Sequence, residues 1–143
     1  CTDTALRNAD LCGFIGGDKQ VSAVCARTQD VFLQPNSYGL SRPFGLITIT
    51  PPYQEVLYKE LIDAICESPL VAEDTVLVIE YPRDMGLMPP VLGGDKFVGI
   101  RNRKYGRTML GIYIYRPSEQ QDIRPLEFGS ESSTFGSGER DFT

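Results

Sequence analysis

"GLITITPPYQEVLYKEL", residues 45–61, runs from an apolar strand-like segment through two adjacent prolines into a helical pattern. Leu46, Ile47 and Ile49 are apolar on both faces, which suits a central strand of a parallel sheet covered on both sides. From Gln54 to Cys66 the residues Leu57, Leu61, Ile62 and Ile65 recur on one face of a helix, and Pro69 closes it. Thr50-Pro51-Pro52-Tyr53 lies between the two. Proline has no amide hydrogen and holds φ near about −65°. Two in succession at a strand end therefore present the carbonyls of Thr50 and Pro51 as rigid acceptors, while Tyr53 offers an aromatic face. Fixed acceptors beside a stacking ring suit a planar base with an exocyclic amine. The plainer alternative is a stiff strand-to-helix turn with no ligand.

On the N-terminal side, "CTDTALRNADLCGF" has helical spacing at Ala5, Ala9 and Cys12 and then meets the breaker Gly16-Gly17-Asp18, which predicts a short helix and a loop. "VSAVCARTQDVFL" reads as a strand starting over Val21 to Cys25, with the segment ending at Asp30. On the C-terminal side, "TVLVIEYP" is a second doubly apolar strand, and strand, helix, strand in that order predicts a right-handed parallel crossover. Arg83 to Asp95 is too rich in proline and glycine for regular structure. "KFVGIRN" and "TMLGIYIYRP" then flank "RKYGR", where Gly106 supplies the turn of an antiparallel hairpin.

The expected fold class is therefore α/β: a partial Rossmann-like sheet of parallel strands ending in an antiparallel hairpin, a three-layer αβα arrangement lacking its first strands and the glycine-rich turn between them. In such sheets the ligand lies outside the carboxyl ends of the strands, where Thr50 to Tyr53 fall. Residues 1–118 form the expected domain. Residues 119–143 are rich in Ser, Gly and acids and read as a tail, flexible or held by a partner.

Composition narrows the chemistry. The 143 residues, 41% hydrophobic and 23% charged, suit one soluble domain, and no apolar run approaches a membrane span. The chain starts at Cys1, which fits a cut precursor or an excerpt of a longer protein. Four separated cysteines with no CxxC pair and no histidine support neither a zinc site nor a thioredoxin-like motif, the missing histidine removes any Ser-His-Asp or Cys-His arrangement, and reduced thiols in a core are expected. The charge of −5 is uneven: six acids against two arginines from Glu119 onward leave the body near neutrality. Within the body, Arg101, Arg103, Lys104 and Arg107 form a basic knot, either a solvated hairpin tip or a phosphate contact.

Taken together, "FGLITITPPY", "YKELIDAI", "VLVIEYP" and "RKYGRTMLGIY" resemble the second half of the RsmD-like methyltransferases, over roughly residues 20 to 116. The resemblance implies methyl transfer from S-adenosylmethionine to the exocyclic amine of a guanine in small-subunit ribosomal RNA. It implies that Thr50, Pro51, Pro52 and Tyr53 grip the base, that Asp30 reads the adenine amine of the cofactor, and that Glu80 is the acidic end of the next strand. Arg101, Arg103, Lys104 and Arg107 would then touch RNA. Thr50 stands where the family usually has Asp or Asn, and the glycine-rich cofactor turn is missing, so the S-adenosylmethionine pocket is incomplete in this chain. Partners implied are ribosomal RNA, and ribosomal proteins or a second chain carrying the N-terminal half; no membrane is implied. The alternative is an inactive methyltransferase-like subunit of an organellar ribosome or another assembly. A plastid or mitochondrial location is expected, otherwise a cytoplasmic one.

Overall fold

Strand β1 (Leu46–Ile49) pairs in parallel with β2 (Val76–Pro82), and the helix between them, α3 (Tyr58–Glu67), makes the crossover. In this computed structural model, residues 1–18, 20–52 and 58–129 are described. Two further helices precede β1: α1 (Thr2–Leu11) and α2 (Thr28–Leu33). After β2 come a short β3 (Val91–Leu92) and the long hairpin β4 (Phe97–Tyr105) and β5 (Thr108–Tyr115). The sheet order is β1-β2-β5-β4-β3, with β5 inserted antiparallel between β2 and β4. Gly106 turns the hairpin at φ 62°, the left-handed conformation that glycine adopts without steric cost.

The register assigns the two faces. Leu77, Ile79 and Tyr81 of β2 lie beside Tyr113, Gly111 and Met109 of β5 on a buried face. Tyr58, Leu61, Ile62 and Ile65 of α3 complete that core together with Phe32 of α2. Gly111 has to lack a Cβ, because one there would meet the Tyr113 ring at 2.8 Å. On the opposite face Val76, Val78, Ile112 and Ile114 are only half-buried, and Leu46 is 59% exposed. A second helical layer covers such a face in a three-layer arrangement, yet α1 buries no side chain.

Three sequence expectations change. Val21 to Cys25 forms no strand; Val21 and Val24 are 40% and 45% exposed, since a strand needs a hydrogen-bonded neighbour and the outer edge of β1 has none among the described residues. The loop from Arg83 to Asp95 contains a 3₁₀ turn (Arg83–Met85) and β3. The cysteines do not share a core: Cys66 is buried, whereas Cys1, Cys12 and Cys25 are exposed, all four free. Residues 54–57 of the expected helix lie outside the described residues.

Burial pushes the Cys66 thiol up to about 11, so at pH 8 its reactive thiolate is scarce as well as shielded. A disulfide reagent at that pH should titrate three thiols quickly and the fourth only after denaturant is added. Four fast equivalents in the native protein would contradict the placement of Cys66.

Candidate functional site

β2 continues through Glu80, Tyr81 and Pro82 beyond its last rung with β1, Ile49↔Ile79. The chain leaves β1 at Thr50, and Pro51 and Pro52 cannot donate to a ladder, so the pairing ends there. Beside this strand end opens a cleft of about 300 Å³, lined by Thr48, Ile49, Thr50, Pro51 and Pro52, by Thr28 and Gln29 of α2, and by Leu61 of α3. Thr50 and Pro52 are exposed and Pro51 half-buried. The lining offers hydroxyls and one amide against Ile49, Leu61 and the two proline rings, and none of these side chains ionises. Tyr53 lies outside the described residues.

The α2 wall was not foreseen as part of the site. It is fixed from below: the Ser68 hydroxyl, just past the end of α3, donates to the Phe32 carbonyl at 2.7 Å and accepts from the Leu70 amide at 3.2 Å. Phe32 itself is 6% exposed, so α2 is held by one buried side chain and one buried hydrogen bond. Asp30 sits half-buried one position beyond Gln29 inside α2, rather than just past a strand as the sequence pattern suggested. Glu80 is half-buried within β2, and its carbonyl accepts a 3.4 Å bond from the Tyr58 hydroxyl.

The basic knot divides. After Arg116 the chain crosses back over β4: Asp74 accepts the amide and hydroxyl of Ser118, and the Gly129 amide donates to the Met88 carbonyl. Those two bonds hold the Asp74 carboxyl below its usual range. Phe128 is buried against Tyr113 at a ring separation of 5.6 Å, in space that Gly99 leaves open. This segment brings its own acids to the knot. Arg101 bonds the carboxylate of Asp122 at 2.9 Å, and Glu127 lies 3.4 Å from Arg103 while also accepting the Asn102 amide at 2.9 Å. Lys104 and Arg107 remain exposed at the tip and form no ion pair with a described residue. Residues 130–143 lie outside the described residues.

A profile of the family described as "Conserved hypothetical protein 95" matches residues 4–114. The chain belongs to that family, the RsmD-like methyltransferases. No curated protein matches it in sequence. Among solved structures it is similar to a protein of Haemophilus influenzae that carries the name of a methylase, with TM-score 0.61 and 16% identity over 80% of this chain and 65% of that one. It is also similar to yhhF of Escherichia coli, which carries the name of a methyltransferase, with TM-score 0.62 and 17% identity over 80% of this chain and 57% of that one. The chain thus spans less than two thirds of either relative. At these identities the likeness shows the shared fold. The partial α/β sheet with a parallel β1-β2 pair and a terminal antiparallel hairpin is the fold expected from the sequence.

Ser68→Ala should strand the Phe32 carbonyl and the Leu70 amide in the core, a loss of about 1–3 kcal/mol. Chemical denaturation should show that loss, and hydrogen exchange should show α2 opening before the sheet. Unchanged stability with unchanged α2 protection would contradict its anchoring role.

Proposed function

We propose that this chain is the base-gripping part of an S-adenosylmethionine-dependent methyltransferase acting on the exocyclic amine of a guanine in small-subunit ribosomal RNA. The observation that carries the reading is the Thr50-Pro51-Pro52 turn lining a cleft at the carboxyl end of a parallel strand, in a chain of the RsmD-like family. Thr50 and the proline carbonyls orient the amine, Tyr53 stacks on the extruded base, and Asp30 and Glu80 face the cofactor side. Lys104 and Arg107 meet RNA phosphate, while Arg101 and Arg103 are largely engaged by Asp122 and Glu127.

At about 300 Å³ the cleft is at the low end for a small-molecule site, roughly 300–1,000 Å³. It takes a planar base or the methyl-donor end of the cofactor but not a nucleotide and a whole nucleoside cofactor together. The fit to S-adenosylmethionine is therefore partial. The cofactor supplies the transferable sulfonium methyl when bound, and the rest of its pocket comes from a polypeptide that pairs with the outer edge of β1 and covers Leu46, Val76, Val78, Ile112 and Ile114.

Calorimetry of the 143-residue chain with S-adenosylmethionine should show no binding at concentrations of about tens of micromolar. Low-micromolar affinity would overturn the incomplete pocket. With the remaining part of the fold supplied, Thr50→Val should lower kcat for methylation of unmodified small-subunit ribosomal RNA about tenfold with KM little changed, since it removes an orienting acceptor. An unaltered kcat would remove Thr50 from the reaction, and absence of methyl transfer by the wild-type assembly would overturn the reading itself.

A further inference from the structure

The antiparallel entry of β5 brings the hairpin tip to the same end of the sheet as the Thr50-Pro51-Pro52 turn. Thr108 pairs with Pro82, and the Arg83 amide donates to the Arg107 carbonyl at 2.9 Å. Arg83 was no part of the basic knot in the sequence, being separated from it by the whole β3-β4 excursion. The fold nevertheless places it next to Arg107. Arg83, Lys104 and Arg107 are all exposed, and none forms an ion pair with a described residue; Asp84 is the one acid in the same 3₁₀ turn. Between Lys104 and Gly106 projects Tyr105, a ring 63% exposed at the end of a strand whose other aromatic, Phe97, is fully buried.

Solvent exposure of a large ring forgoes apolar contact, and Arg83, Lys104 and Arg107, which pair with no described residue, gain no ion-pair stabilisation from one. Cations that track a phosphate backbone, together with a ring on which a base can stack, are the two elements of a single-strand binding surface. The sheet order puts β5 two strands and β4 three strands from β1, about 10–15 Å at the usual interstrand spacing. A few nucleotides of single strand cover that distance. The docked segment from Ser118 to Gly129 meanwhile engages Arg101 and Arg103, which leaves Lys104 and Arg107 as the cations of the hairpin that pair with no described residue.

Resting on the proposed RNA substrate, we infer that Arg83, Lys104, Tyr105 and Arg107 form a second contact on this rim. It holds single-stranded RNA a few nucleotides from the base in the cleft, with Tyr105 stacking on one base and the three cations on the phosphates. The contact is independent of the cofactor and of Thr50.

The test is fluorescence anisotropy of a labelled single-stranded oligouridylate of about twelve nucleotides, titrated with the whole chain over a range of salt concentrations. Tyr105→Ala should weaken binding about tenfold with the salt slope unchanged, and Tyr105→Phe should restore it. Arg83→Ala and Lys104→Ala should each reduce the slope of log K against log salt by about 0.7. Arg7→Ala, on the remote α1, should change neither. Binding by the wild type that is insensitive to Arg83 and Tyr105 would overturn this contact and leave the RNA reading standing. Failure of the wild type to bind either this probe or small-subunit ribosomal RNA would overturn both. All four positions lie on the surface, and coincident thermal melts would show that the variants keep the fold.

Discussion

The antiparallel pairing of β5 with β2, seven rungs from Val76↔Ile114 to Pro82↔Thr108, is the constraint from which the rest of the molecule follows. A strand that enters antiparallel beside a parallel one must begin where its neighbour ends. The hairpin turn at Gly106 is therefore forced to the carboxyl end of β2, the end at which β1 runs into its prolines. Had β5 entered parallel, the basic tip would stand at the far end of the sheet from the cleft. The same pairing carries Tyr113 under β2 and so provides the surface on which Phe128 later docks.

The energetics of the two sheet faces differ. On one, Tyr58, Leu61, Ile62 and Ile65 are almost wholly removed from water, each worth roughly 1.5–3 kcal/mol before conformational entropy is counted. On the other, the valines and isoleucines of β2 and β5 keep part of their surface in water, and Leu46 keeps most of it. A single dry face, extended by Phe97, Tyr113 and the docked Phe128, suffices to define the register. The stretch before α2 contributes little to that core: Leu11, Phe14, Val21 and Val24 are exposed, and α1 buries no side chain.

Legibility followed the same division. The doubly apolar strands β1 and β2, the amphipathic α3 and the Gly106 turn are written in local periodicity, because each meets its partner across a short crossover or a tight turn. Val21 to Cys25 has an equally good local pattern but no partner strand among the described residues, and pattern without a neighbour does not make a strand. The docking of Asp122, Glu127 and Phe128 joins residues 15 to 25 positions apart, in a stretch whose Ser, Gly and acid content signals disorder. One signal was present: two acids five apart in the tail facing two arginines two apart in the hairpin. The strand-end half of the cleft was legible from the paired prolines. Thr28 and Gln29 were not, because their place depends on the Ser68–Phe32 hydrogen bond, which leaves no trace in spacing.

Among the described residues the lining of the cleft carries no ionisable side chain, which bears on the chemistry proposed for it. The described lining residues supply no base, and the proposed methyl transfer is a reaction whose nucleophile attacks in its neutral form. In the proposed reaction, attack of a neutral amine on a cationic sulfonium spreads one positive charge over two atoms in the transition state rather than creating a new one. Dry, apolar walls such as Ile49, Leu61 and the proline rings favour that spreading over the concentrated charge of the reactant. What remains for the protein is to hold nitrogen and methyl carbon in line, a task for rigid acceptors rather than for a base. On this account a threonine hydroxyl at position 50 forgoes the charge of a carboxylate but keeps an acceptor. Under the proposed reaction, the stiffness of the prolines that follow it serves that alignment without needing the carboxylate's charge.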